Sequence, residues 1–235
     1  MGCIYKANGL HSRMTVGAVL LAAGAASRMG GRPKCLLELG GVPLVMRQLI
    51  ALSGAGVDEV AVVLGHYAEQ IEAAVAPFPI TLVHNPSPDD GQASSVRLGL
   101  QALSPKLDAV IVALADQPMI DTSDITTLIS AYRKRGDKSM VVPRVQSADG
   151  KWVPGNPVIM SAELRQQWQA AEDDGMCRSW RKQHPEKIEW LDTDNRHYAT
   201  DIDTPEDLQR FEAETGHALV WPSAQLAAPN GAVGA

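Results

Sequence analysis

Apolar residues in this chain fall into short blocks that alternate between two spacings. Val16–Ala22 is an apolar run closed by Ala23-Gly24, the pattern of a central strand buried on both faces. Pro43–Ser53 then sets Val45, Leu49 and Leu52 on one face of a helix. The exchange repeats. Strand-like runs stand at Val57–Leu64, Ile80–Val83, Ala109–Ala115 and Ser139–Pro143, and helical spacing at Tyr67–Val75, Asp90–Leu103 and Ser123–Arg135. This alternation predicts an α/β domain, Rossmann-like, in three α/β/α layers with a mostly parallel central sheet.

Beyond Pro143 the pattern loosens. Residues 146–155 read as a polar hairpin or loop, Val158–Met160 and Ile188–Leu191 as short strands, and Ala162–Gln169 and Met176–Gln183 as helices. Thr204-Pro205-Glu206-Asp207 opens a last helix, with Thr as N-cap and Pro at the first position. The expected division is an N-terminal extension over 1–14, one domain over 15–216, and a disordered Ala/Pro/Gly/Ser-rich tail over 217–235.

Composition narrows the partners. The formal net charge of −6 lacks the basic excess of a general nucleic-acid binder, so no nucleic acid is expected. The run Val16–Ala23 falls far short of the roughly 20 residues of a membrane span, so no membrane is expected either. Lys6 and Arg13 ahead of that run imitate a secretory leader. The run reads better as a first strand, and Met14 could serve as the natural start. Cys3, Cys35 and Cys177 form no C-x-x-C pair, which predicts reduced thiols in a cytoplasmic protein, with no zinc site.

Ligands of open α/β sheets bind at the carboxyl ends of the strands. After the first strand stands Leu21-Ala-Ala-Gly-Ala-Ala-Ser-Arg28-Met-Gly-Gly-Arg-Pro-Lys34. Ala22, Ala23 and Gly24 are small enough for backbone N–H groups to approach phosphate oxygens. Arg28 offers a planar fork and Lys34 a point charge. The spacing is neither that of a P-loop nor that of a dinucleotide fingerprint. Asp116 follows the most apolar strand, at the floor of the expected cleft, where its hard oxygens could hold Mg²⁺.

Leu21-Ala-Ala-Gly-x-x-x-Arg28-Met-Gly-x-x-x-Lys34 resembles the signature of nucleotidyltransferases that move a nucleoside monophosphate onto an acceptor phosphate. Further matches follow in order: Gly65-His66, Asn85 with Gly91-Gln-Ala-Ser-Ser95-Val-Arg, Ala115-Asp116-Gln117-Pro118, Gly155-Asn156-Pro157, and Asp201-Ile-Asp203-Thr-Pro-Glu-Asp-Leu208. Over about residues 15–212 the chain resembles the molybdenum-cofactor cytidylyltransferases, of the MobA-like type with a nucleotide-diphospho-sugar transferase-like fold. The resemblance implies a Mg²⁺-dependent enzyme that moves CMP from CTP to the terminal phosphate of molybdopterin cofactor and releases pyrophosphate. It would thereby serve a molybdenum hydroxylase apo-enzyme.

The same resemblance assigns sites. Arg28, Lys34 and Asp116 would be catalytic, and Ala22, Ala23, Gly24, Gly91 and Ser95 would join them around the nucleotide. A second metal-holding acid is expected near the last helix. Of Asp201 and Asp203, one is expected to face the cleft, Asp201, and the other to cap the helix. Asn156, where relatives often carry His, and Arg178 are candidate acceptor contacts. Guanylyl-transferring cousins tend to have Ala-Gly-Gly in place of Ala22-Ala23-Gly24. The methyl of Ala23 would crowd a purine and favour CTP over GTP, by roughly 1–3 kcal/mol. Three other functions stay open: transfer to another phosphorylated acceptor such as a polyol phosphate, a nicotine-blue-type NAD(P)H oxidoreductase, and a non-catalytic cofactor carrier.

Overall fold

The computed structural model describes residues 13–170 and 178–223. Its first half runs β1 (Val16–Ala22), the short strands β2 (Glu38–Leu39) and β3 (Val42–Pro43), α1 (Leu44–Gly54), β4 (Glu59–Leu64), α2 (Ala68–Val75), β5 (Thr81–His84), α3 (Gln92–Ala102), β6 (Ala109–Leu114) and α4 (Thr122–Arg133). Its second half adds β7 (Met140–Gln146), β8 (Trp152–Pro154), β9 (Val158–Ser161), α5 (Ala162–Ala170), α6 (Arg178–Gln183), β10 (Ile188–Thr193), α7 (Pro205–Thr215) and β11 (Leu219–Val220).

The main sheet has the order β10-β7-β9-β6-β1-β4-β5, with β8 folded back on β7 as a hairpin. Strands β6, β1, β4 and β5 are parallel, whereas β9 runs against both β6 and β7. The sheet is therefore mostly parallel, as the alternating blocks predict.

Strand β1 lies at the middle, and its alternate residues feed two cores. Ala18, Leu20 and Ala22 pack with Leu52 of α1, Ile71 of α2 and Leu128 of α4. Val19 and Leu21 pack with Val96 and Leu100 of α3 and Leu164 of α5. These are the outer layers of the expected three-layer domain. Helix α3 comes so close to β1 that a Cβ on Gly99 would stand 2.4 Å from Val19 Cγ1.

A third, smaller core was not visible in the periodicity. Met29, Leu37, Leu39, Leu44, Ile202, Phe211 and Leu219 gather beneath a small sheet of order β11-β2-β3. The ordered chain thus passes the boundary expected at 216. Leu219 is buried and pairs with Leu39, because an apolar residue just past the helix end can still reach a core. Residues 1–12, 171–177 and 224–235 lie outside the described residues. So do Cys3, Cys177 and the expected helix start at Met176.

Candidate functional site

The loop after β1 needs support to hold its shape. Ala26 has a φ of 50°, and Gly30 and Gly31 each have 68°. A non-glycine residue in that left-handed region costs about 1–2 kcal/mol. The Tyr67 hydroxyl donates to the Ala25 carbonyl at 2.9 Å, and Met29 is buried in the third core. Arg28 sits on the turn Ser27–Met29 and is exposed. Lys34 opens the turn Lys34–Leu36, anchored by the buried side chains of Cys35 and Leu36.

Three distant segments meet at Lys34. Its Nζ stands 2.7 Å from Asp116 Oδ2 and 2.6 Å from Asp203 Oδ1. Arg28 Nη2 lies 3.3 Å from Asp203 Oδ2. Burial alone would lower the pKa of Lys34, but Asp116 and Asp203 carry it above the ordinary lysine value, so it stays charged. Asp116 leaves β6 directly into a fixed peptide. The buried Gln117 accepts at its carbonyl from Gln48 Nε2 at 2.7 Å and donates from Nε2 to the Tyr198 carbonyl at 3.2 Å.

Ala23, Gly24, Gly91, Ser95, Asp116 and Asp201 all line one cleft of about 320 Å³. Ala22 backs a smaller hollow beside it, shared with Lys34 and Asp116. Ser95 is almost fully buried, and its Oγ accepts from Asn85 Nδ2 at 2.9 Å, which fixes its place on the wall. Asn156 and Arg178 are not in this cleft. They line an adjoining pocket of about 130 Å³ with Arg181 and apolar walls from Val112, Met140, Val158 and Trp168. The two spaces share Leu21, Gln92 and Leu114.

One expectation is corrected. Asp201 and Asp203 both face the cleft, and Ile202 between them turns into the third core. Residues two apart on an extended segment share a side, so the intervening residue is the one that points away. The helix cap is Thr204, whose Oγ1 accepts from the Asp207 N–H at 3.3 Å. Gln117 is the supporting residue that motif reading passed over, and Asp203 is the candidate it assigned to the helix cap. Both lay inside quoted motifs, and a polar residue directly after an apolar strand was the available signal for Gln117.

Asp201 reaches solvent, yet the cleft atoms crowded around it desolvate its carboxyl, and this first, then the charges of Asp116 and Asp203, raises it from 3.8 to about 6. A carboxyl whose folded pKa lies above its unfolded value contributes most below the unfolded value and loses that contribution as pH rises through the folded one. The metal-free protein should therefore lose stability between about pH 4 and pH 7 through this group. Asp201→Asn should flatten that part of the melting-temperature profile and raise the melting temperature at pH 7. A variant profile parallel to the parent's would contradict the assignment. Cys35, beside this cluster, is buried and its thiol is pushed up to about 12, so it is inert.

Asp121, Asp124 and His197 form a separate cluster of metal-ligand types. Asp124 already accepts from Asn195 Nδ2 at 2.6 Å and from the Asp121 N–H at 3.0 Å, and it pairs with His197 Nδ1 at 2.8 Å. This cluster ties the start of α4 to the turn Arg196–Ala199.

Comparison with known proteins gives the family. Residues 18–188 match the MobA-like NTP transferase domain. The nicotine blue oxidoreductase of Paenarthrobacter nicotinovorans is 30% identical over 199 residues, covering 82% of this chain and 94% of that protein. The 2-C-methyl-D-erythritol 4-phosphate cytidylyltransferase of Streptomyces coelicolor is 33% identical over 139 residues, 56% of this chain and 50% of that one. Among solved structures, Rv0371c of Mycobacterium tuberculosis superposes with a TM-score of 0.69 at 25% identity, over 85% of this chain and 98% of that one. With the loop, the cleft and the match over most of its length, the chain belongs to the MobA-like NTP transferase family.

Proposed function

We propose that this nucleotidyltransferase moves CMP from CTP onto the terminal phosphate of molybdopterin cofactor, with Mg²⁺ as its ion. The observation that carries the reading is Lys34, held between Asp116 and Asp203 at the end of a loop of small residues. The carboxylates that a hard ion calls for thus stand in direct contact with the cations that a triphosphate calls for.

Three carboxylate groups on two segments, with one of them resisting ionisation, fit a divalent cation. Asp116 and Asp201 would hold it, and once bound it would draw charge off the phosphates. Arg28 and Lys34 would exchange Asp203 for phosphate oxygens. Gly91 and Ser95 would border the base and ribose, with Ala23 limiting the base. Ala23 itself has little room to move: a Cβ on Gly65 would stand 2.8 Å from its carbonyl oxygen. An acceptor phosphate oxygen would attack the α-phosphorus, and the bond to pyrophosphate would break. No protein nucleophile is needed, since positioning and charge lower the barrier.

The adjoining pocket supports the acceptor. Its walls are Val112, Met140, Val158 and Trp168, with Asn156, Arg178 and Arg181 as polar members. A flat ring with an anionic tail suits such a space. A polyol phosphate would set part of its hydroxyls against the apolar walls, where burial without a partner is costly.

The oxidoreductase relative keeps a second reading in view. Reduction by NAD(P)H gives Asp116 and Asp201 no role. Thermal stabilisation by CTP, GTP, ATP and NADPH, each with and without Mg²⁺, separates the readings. A shift with CTP that depends on Mg²⁺ is expected. A larger shift with GTP would overturn the role given to Ala23, and an ion-independent shift with NADPH alone would favour the oxidoreductase. Pyrophosphate release in the presence of molybdopterin cofactor then tests the acceptor.

A further inference from the structure

Between Gly24 and Lys34 the loop turns through two adjacent left-handed glycines, Gly30 and Gly31. Glycine takes that conformation at no steric cost and has more backbone freedom to lose than any other residue, so this stretch depends on support from its neighbours. Only Arg32 and Pro33 separate that pair from Lys34, whose Nζ must stay within reach of Asp116. Arg32 differs from the other two cations of the loop. Arg28 and Lys34 reach Asp203, whereas the Arg32 guanidinium lies 4.1 Å from the centroid of the Trp221 ring.

Trp221 is itself fixed. It follows β11, whose register on β2 pairs Leu219 with Leu39 and Val220 with Glu38. Its ring packs against the third core, which also holds Met29 from the same loop. The strand pairing thus secures the chain just after Lys34, and the ring secures it just before.

We infer that Trp221 is a positioning residue for the loop, holding Arg32 by its ring face and thereby keeping Lys34 in place against Asp116. A guanidinium over an indole face is the strongest of the common cation–π pairings. Groups that bind phosphate need such support, because a small displacement of a charge forfeits much of its effect. The value of the brace for catalysis rests on the loop being the phosphate site proposed above. The brace itself does not.

The test uses the full chain with Trp221→Phe, Trp221→Leu and Arg32→Gln. Amide hydrogen exchange is followed over residues 25–34, with β1 and β6 as internal references. Leu keeps apolar bulk in the core but has no ring face, so exchange in the loop should rise on the order of tenfold while the reference strands are unchanged. Phe should stay near the parent. Arg32→Gln leaves the ring and the core untouched and should give the same rise as Leu, and adding it to Trp221→Leu should give no more. In parallel, Trp221→Leu should weaken CTP binding in the presence of Mg²⁺ by a similar factor, and Phe should restore it. Equal behaviour of Leu and Phe would overturn the inference, as would an unchanged loop in Arg32→Gln. Should the Leu variant fail to fold, Arg32→Gln decides alone. A parent that binds no nucleotide yet shows the exchange pattern would leave the brace standing and remove the nucleotide reading. CTP binding with an unchanged loop in these variants would do the reverse.

Discussion

Asp116→Ala is expected to remove the Mg²⁺-dependent stabilisation by CTP and to lower nucleotidyl transfer at least about 10³-fold, or about 4 kcal/mol of barrier. The reason is position. Asp116 is the first carboxylate after the apolar strand β6, and the next residue, Gln117, is held at its carbonyl by Gln48 and at its side chain by the Tyr198 carbonyl. Asp201 and Asp203 belong to another segment and would be left to hold an ion without it. The loss should not come from unfolding. The Asp116 side chain is 24% exposed, Lys34 keeps Asp203, and Asp201 is relieved of a like charge. The melting temperature of the metal-free variant should therefore equal or slightly exceed the parent's. Pyrophosphate release and thermal scans read the two effects separately. A variant that keeps its Mg²⁺-dependent response to CTP would show that the ion is held elsewhere.

Lys34→Met should affect both catalysis and stability, and that combination distinguishes it. Removing one preorganised positive group at a site of developing charge typically costs about 10²–10³ in rate. The same change leaves Asp116, Asp201 and Asp203 facing one another without their central cation. Breaking a fully buried pair costs about 3–5 kcal/mol. Here the partners are 24% and 43% exposed, so water takes up part of the charge and about 1–2 kcal/mol is expected. Mg²⁺ should raise the melting temperature of the variant more than that of the parent, because the ion no longer competes with the ammonium for the carboxylates. At pH 4 the difference between variant and parent should shrink as the Asp201 carboxyl, raised to about 6, takes up its proton. A variant as stable as the parent at pH 7, with no larger response to Mg²⁺, would mean that the pairs around Lys34 carry little.

Much of the architecture was legible from pattern. A strand buried on both faces must be a continuous apolar run, and β1, β4 and β6 are such runs. Helices that cover one face must show an apolar stripe, as α1 does with Val45, Leu49 and Leu52. Short strands have too few positions for a period, which is why β2, β3 and β11 left no signal. Candidate site residues were legible where a motif places them after a strand: Arg28, Lys34, Asp116 and Ser95. The supports were not. Tyr67 reaches Ala25 across 42 positions, and no local spacing reports that hydrogen bond.

Short-range pattern in the chain thus sets the order of the longer elements, the three-layer class and the set of groups available for chemistry. Those properties follow from short-range repeats and from the turn that must follow each strand. How the charges pair is settled by long-range packing. Lys34 and Asp203 are 169 positions apart, and the burial of Ile202 in the third core is what turns both flanking carboxylates toward the cleft. Pairing at that range depends on which side chains the packed core leaves no room for, and packing is a property of the whole fold.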